Sequence, residues 1–267
     1  MFQKLFKIST IILISLLLMV SCSRKYDEDL NIYFVRGGNI YQITEFGEDL
    51  KLLLSGGTYN YPCSSPDGDK LICKFGTISV IYRLTDMALY RTIASASPLN
   101  HSWSPDGTKV ALTDGPGTIS VYEVASGLKI WSSSAGGRWG FYFTNDSRYI
   151  LEKLSSSTTI NEYLIPGDTV PERTRTLPSS SFTNLTLSPD GLSIAADDGS
   201  SIYILDEATL TARYLRSGKE PSWSPGGDML VFNNGGNICL YDIATGAIQT
   251  LTSMGTDSYP CFQYKPR

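Results

Sequence analysis

Histidine is almost missing: the 267-residue chain has one, His101. A Ser-His-Asp mechanism would have to be built around that single imidazole, and a zinc site made of a histidine cluster is excluded. There is no Cys-x-x-Cys pair and no Gly-rich phosphate-binding loop. Charged residues make up only 18 % of the chain, and no long amphipathic helical pattern is visible in it. The apolar run from Ile8 to Val20 has 13 residues, short of the roughly 20 needed to cross a bilayer as a helix.

That run follows Lys4 and Lys7 and stops abruptly at Met19-Val-Ser-Cys22. A basic start, an apolar middle and a small residue before Cys make a targeting segment rather than part of a fold. The ending resembles a bacterial lipobox, with Met19 where Leu is usual. The resemblance implies cleavage before Cys22, lipidation of Cys22 and attachment to a membrane. Two or more acyl chains, at about 0.8 kcal/mol per buried methylene, make such attachment stable. The domain plan is therefore a lipoprotein signal peptide over residues 1–21, the lipidated Cys and a polar tether over residues 22–30, and one folded domain over residues 31–267. A Ser directly after the Cys is compatible in lipoproteins with delivery to an outer membrane. The expected location is the bacterial cell envelope, on the periplasmic or the surface side. Without residues 1–21 there are 20 basic groups against 26 acidic ones, a net charge near −6. Nucleic acid is not an expected partner of such a chain.

What the sequence does have is a repeat. Ser-Pro-Asp-Gly occurs at Ser65 to Gly68, Ser104 to Gly107 and Ser188 to Gly191. Worn copies stand at Thr144 to Ser147, Ser224 to Gly227 and Gln263 to Pro266, giving successive spacings of 39, 40, 44, 36 and 39 residues. A period of this length with four short strands per unit is the signature of a β-propeller blade. Each unit is read as strands a to d. Strand a precedes the turn, and an apolar strand b follows it, as in Val110-Ala-Leu-Thr113. Strand c alternates with period two, as in Ile119-Ser-Val-Tyr-Glu-Val124, and the polar strand d, as in Arg173-Thr-Arg-Thr-Leu177, suits an outermost edge.

The two ends of the domain are complementary. The N-terminal side opens with b, c and d strands at Asn31 to Val35, Asn39 to Ile43 and Lys51 to Leu54, but no a strand. The C-terminal side ends on an a strand at Tyr259 to Tyr264 that lacks b, c and d strands of its own. Six a strands and six b-c-d sets predict an all-β, six-bladed β-propeller closed by pairing of the C-terminal strand with the N-terminal blade. The phrase Pro-x-Trp-Ser-Pro-Asp-Gly, represented by Pro221-Ser-Trp223 and the turns above, resembles the repeat of TolB-type propellers over essentially all of residues 31–267. The resemblance does not extend to the extra N-terminal domain of TolB itself, which is not expected here, so TolB's role is not carried over with the fold.

The recurring residues have structural readings. Pro pre-sets φ at the first corner of the turn, Asp67, Asp106 and Asp190 accept backbone N–H bonds, and Gly68, Gly107 and Gly191 supply φ > 0. Trp103, Trp223, Phe143, Leu187 and Phe262 share one frame position and are expected to pack between blades. Pro62, Pro221 and Pro260 lie on strand a, an edge where a missing N–H costs no ladder bond. Cys63, Cys73, Cys239 and Cys261 allow three pairings; Cys63 to Cys261 would staple the ring, and the alternative is four small buried core residues. His101 takes the Pro slot of an inner strand, near the frame position of Cys63, so a Cys63/His101 dyad is geometrically conceivable.

The loops that join blades and the b-to-c turns fall on the face opposite the Ser-Pro-Asp-Gly turns. They supply the expected exposed binding candidates: Tyr59, Asp114, Arg138, Trp139, Asp197, Asp198 and Asp257, with Arg36, Lys219 and Glu220 beside them. Arg138 and Trp139 in a Gly-rich loop are residue types enriched at binding hot spots. No catalytic, cofactor-binding or metal-binding residue is assigned. The expected function is a non-catalytic, lipid-anchored module that binds an envelope protein or peptide and acts as a monomer. The alternative is a channel-based enzyme or small-ligand binder taking a sugar or lactone with a divalent cation.

Overall fold

The computed structural model describes residues 30–93, 98–114, 117–133, 140–154 and 156–264. Residues 1–29, which include Cys22 and the expected targeting segment, and Arg138 with Trp139, lie outside the described residues. The described chain forms 24 strands in six four-stranded antiparallel sheets, one per blade. Blade 1 holds β1 (Asn31–Arg36), β2 (Asn39–Thr44), β3 (Lys51–Leu54) and, on its inner side, β24 (Asp257–Phe262). Blade 2 is β4 (Tyr59–Ser64), β5 (Lys70–Phe75), β6 (Ile78–Arg83) and β7 (Leu89–Ile93). Blade 3 is β8 (His101–Trp103), β9 (Lys109–Asp114), β10 (Thr118–Glu123) and β11 (Lys129–Ser132). Blade 4 is β12 (Phe141–Phe143), β13 (Tyr149–Lys153), β14 (Thr159–Leu164) and β15 (Arg173–Thr176). Blade 5 is β16 (Thr183–Leu187), β17 (Ser193–Asp197), β18 (Ser201–Asp206) and β19 (Ala212–Ser217), and blade 6 is β20 (Lys219–Trp223), β21 (Met229–Asn234), β22 (Asn237–Asp242) and β23 (Ile248–Thr250).

Each a-to-b turn is built by its own short side chains. In blade 3 the Ser104 hydroxyl donates to Asp106 Oδ1 at 2.6 Å and accepts from Lys109 N at 2.9 Å, while Gly107 N closes on Ser104 O at 2.8 Å. Asp106 Oδ1 also accepts from Thr108 N at 2.9 Å. Partial burial alone would raise this carboxyl; the bonds from Ser104 and Thr108, with Lys109 nearby, hold it down at about 2. Gly68, Gly107, Gly191 and Gly227 have φ of 71°, 69°, 76° and 73°. In the worn copy of blade 4 Ser147 takes that corner at φ 60° and uses its hydroxyl to accept from Asp106 N of the neighbouring blade at 3.0 Å.

The core lies between the sheets rather than within one. The aromatic of the Pro-x-Trp frame points back to the preceding blade: Trp103 packs with Ile72 and Ile81 and donates Nε1–H to Cys63 O at 3.1 Å, and Trp223 donates to Thr186 O at 3.1 Å. Phe262 packs with Phe34 and Val231 in the same way. The x position points forward. Cys261 therefore packs with Leu71 and Cys73 toward blade 2, whereas Cys63 packs toward Trp103 of blade 3. Two side chains at one frame position point the same way round the ring, so Cys63 and Cys261 do not face each other, and all four thiols are free. Burial pushes the Cys63 thiol up to about 12.

Backbone pairing closes the ring instead. β24 pairs antiparallel with β1, with Phe262 opposite Ile32 and Asp257 opposite Arg36. Beyond β24, Gln263 N donates to Asn31 O at 2.8 Å, and the Gln263 amide reaches Gly68 O in blade 2 at 3.2 Å. At the other end of the seam Arg36 grips Asp257 with two bonds, Nε to Oδ1 at 2.6 Å and Nη2 to Oδ2 at 2.7 Å. The Asp257 side chain is fully buried, and the guanidinium lies 5.3 Å from the ring centres of both Phe34 and Tyr41. Removing one partner of a buried pair strands the other. Arg36→Ala should therefore cost about 3–5 kcal/mol in urea unfolding, and Arg36→Met with Asp257→Leu much less. A loss under about 1 kcal/mol for the single variant would show that the pair does not hold the seam.

Candidate functional site

The six inner strands line a central cavity of about 490 Å³. Its wall is built from Pro62, Pro221 and Pro260 with small residues such as Ser102 and Ser222, because strand a is an inner edge that tolerates a missing N–H. At one end stand the a-to-b turns, which with the c-to-d turns form the turn face. At the other end, on the loop face, the strands are not regular.

Four successive blades, 5, 6, 1 and 2, break the a-to-b ladder at the same point of the frame. At each break one residue takes a left-handed conformation: Asn184 (φ 46°), Glu220 (φ 58°), Tyr259 (φ 52°) and Tyr61 (φ 52°). A non-glycine residue there costs on the order of 1–3 kcal/mol and persists only where the surroundings over-determine it. Three of the four precede proline, which makes the surroundings more demanding.

Carboxylates and amides of the same and of neighbouring blades provide the constraint. Asp197, at the end of β17, accepts from Asn184 Nδ2 and from Glu220 N, both at 2.8 Å. Glu220 in turn accepts from Tyr259 N at 2.7 Å and from Asn233 Nδ2 at 3.3 Å. Asn233 Nδ2 also donates to Asp257 O at 2.8 Å. Tyr259 lies with its ring 4.3 Å from that of Tyr61, and its hydroxyl is 3.4 Å from the Tyr61 hydroxyl. Burial, reinforced by that hydroxyl contact, raises the Tyr259 phenol well above its ordinary value. The bulged amides are thus fixed blade to blade in a relay that crosses the seam, and they shape the mouth of the cavity.

His101 stands at the far end of this relay. Its Nδ1 lies 2.9 Å from Tyr61 O and its Nε2 lies 2.9 Å from Ser79 Oγ. A carbonyl only accepts, so Nδ1 carries the proton and Nε2 accepts from the Ser79 hydroxyl. Both nitrogens are committed to bridging blades 2 and 3, and no Cys63/His101 dyad forms. Among the described residues no group of three or more His, Cys, Asp or Glu is placed to hold a metal ion.

Three of the loop-face candidates are not exposed. Tyr59, Asp197 and Asp257 are 5 %, 1 % and 1 % accessible. The Tyr59 ring lies 4.6 Å from that of Phe75 in a tilted pair and its hydroxyl is 2.9 Å from Tyr82 Oη, and the two acids belong to the relay and the seam. Acidity marks both as surface residues, but Asp197 has inward partners in its own hairpin and the next blade, and Asp257 has one, Arg36, that the closed ring brings near. Asp114 is tied to Lys129 Nζ at 2.6 Å and Tyr122 Oη at 2.9 Å, and Asp198 caps its own turn through Ser200 N at 3.0 Å and Ser201 N at 2.8 Å. The residues that do present surface at this face include Phe75, Met254 and Lys219. Sequence reasoning did not single out Asn184, Tyr61 and Tyr259 as mouth residues; the available signal was the residue just before the frame proline.

No family model matches the chain, and no curated protein matches it. Solved structures share its fold. TolB from Acinetobacter baumannii aligns with a TM-score of 0.73 and 20% identity over 90% of this chain and 67% of that one. A chain of the nidogen/laminin complex aligns with a TM-score of 0.71 and 12% identity over 88% of this chain and 99% of that one. Hydrazine synthase from Kuenenia stuttgartiensis aligns with a TM-score of 0.55 and 17% identity over 71% of this chain and 64% of that one. These likenesses make the chain a TolB-like six-bladed propeller in fold. An assembly component and an enzyme share the architecture, so fold does not select a function.

His101 gives the site a pH signature. Burial is the main cause that lowers its pKa, to about 4 from the ordinary 6.5; Lys74 lowers it further and the bond to Tyr61 O opposes both. The unfolded chain therefore binds the proton that the folded chain refuses between these values. Stability should be complete above about pH 6.5 and fall as pH drops to about 4, by about 3 kcal/mol for this group. Urea titrations across that range should show the slope, and His101→Gln should flatten it. An equal slope in the variant would contradict the assignment.

Proposed function

We propose that this protein is a lipid-anchored propeller of the bacterial envelope that binds a protein or peptide at the loop-face mouth of its channel, without catalysis. The observation that carries the reading is the arc of four left-handed residues at the loop-face mouth, Asn184, Glu220, Tyr259 and Tyr61, of which Glu220 and Tyr259 have their amides held by carboxylates of the preceding blade. Strain maintained at this expense keeps a surface in one shape before a partner arrives, which lowers the cost of association. The groups that acid–base or nucleophilic chemistry would use are already committed: His101 to two bridging bonds, Asp197 and Glu220 to amides, Asp257 to Arg36. The Cys22 lipid supplies the address, and its support is the Met19-Val-Ser-Cys22 ending after an apolar run.

A cavity of about 490 Å³ also has the size of a small-ligand pocket, which favours the channel-based alternative, a sugar or lactone with a divalent cation. Crosslinking in cells followed by mass spectrometry separates the two. On the protein-binding reading, Tyr61→Ala and Met254→Asp each reduce capture of a loop-face partner at least tenfold, about 1.4 kcal/mol, while Leu192→Asp on the opposite face leaves it unchanged. Equal capture by all variants, with a melting temperature raised by calcium or sugars, would replace this reading with the alternative.

A further inference from the structure

The first described residue, Leu30, is buried at the start of β1, and its carbonyl accepts from Glu45 N at 2.9 Å. Strand b begins at the a-to-b turn, so the chain enters the propeller on the turn face, the face away from the left-handed arc. Residues 23–29 lie between Cys22 and Leu30. Eight Cα-to-Cα steps reach at most about 28 Å. The blade is about 30 Å tall, from six-residue strands at about 3.3 Å per residue plus a turn at each end. To bring the loop face to the membrane, the tether would also have to pass outward over β2 and β3, roughly another 10–15 Å. The tether is too short to do both.

Six exposed aliphatic side chains follow the same polarity, whereas Met254 and Phe75 are exposed on the loop face. Leu50, Leu89, Leu128, Val170 and Ile248 sit at the c-to-d turns of blades 1, 2, 3, 4 and 6, and Leu192 sits at the a-to-b turn of blade 5. Each is 50% to 68% exposed, and together they place one aliphatic residue per blade on the turn face. Singly such residues need no explanation; six spaced round one face, the face where the tether enters, form a shallow apolar rim.

We infer that the turn face lies against the bilayer that holds the Cys22 lipid, so that the channel mouth with the left-handed arc points away from that membrane. The inference rests on the lipid attachment proposed above. The turn-face carboxylates, Asp67, Asp106, Asp146 and Asp190, give no attraction to anionic lipid, so apposition is expected on phosphatidylcholine and is insensitive to salt. The partner then approaches from the side opposite the anchor.

The test uses the full lipidated chain in phosphatidylcholine vesicles containing a nitroxide-labelled lipid. A fluorophore is placed at Leu128→Cys, Val170→Cys or Met254→Cys, with the unsubstituted chain reporting any labelling of native thiols. Quenching is expected to be at least threefold stronger at positions 128 and 170 than at 254. Leu50→Asp with Leu192→Asp and Ile248→Asp should reduce that difference without releasing the protein. Equal or reversed quenching in a chain whose Cys22 is acylated by mass spectrometry overturns the orientation and leaves the anchor standing. An unacylated Cys22, or a Cys22→Ser chain that remains membrane-bound, overturns the anchor and the orientation with it.

Discussion

Pairing of the last strand with the first is the constraint on which the remaining structure depends. Every other blade is a local four-stranded meander, formed from strands that follow one another in sequence. Blade 1 alone is assembled from residues more than 200 positions apart, with Asp257 opposite Arg36 and Phe262 opposite Ile32. An inter-blade core has no free end only when the ring is closed. Open, it would expose one face of blade 6 and one of blade 1, including Val231 and Phe34, which now pack together with Phe262. Closure is carried by ladder bonds, by the buried Arg36–Asp257 pair and by Gln263 reaching Asn31 and Gly68. Each bond contributes on the order of 1 kcal/mol net, and the aromatic burial adds to it.

The same seam makes the candidate site. Blades 5, 6, 1 and 2, which carry the left-handed residues, are the four centred on it. Glu220 from blade 6 accepts the Tyr259 amide from blade 1, and Tyr259 then meets Tyr61 of blade 2. Asn233 binds both Glu220 and the carbonyl of Asp257, so the residue that receives Arg36 is also joined to the mouth. Ring closure and mouth geometry are thus one network rather than a scaffold with a site attached.

Much of the fold was legible in the sequence because propeller repeats have a period. Aligning six copies of one phrase gives the blade count, the strand order and the complementary ends, and the bounds of the first three strands agree within a residue. The site was less legible. Side-chain direction round a ring is a tertiary property: Cys63 and Cys261 share a frame position and therefore point the same way, which spacing alone does not reveal. Charge misled in the same manner. Asp197 and Asp257 look like surface loop residues until the ring supplies the Glu220 amide and the Arg36 guanidinium. The left-handed residues run against local preference, since Tyr or Glu before proline ordinarily reads as extended chain. Sequence rules fail where the closed structure overrules them, and those positions gather at the mouth.

The most direct measurement of the account is a melt of the chain truncated after Thr256, with and without a synthetic peptide of residues 257–264 added in trans. Truncation should abolish the cooperative transition, saturating peptide should restore it, and Arg36→Ala should prevent that recovery. A truncated chain that melts as cooperatively and at the same temperature as the intact one would contradict it.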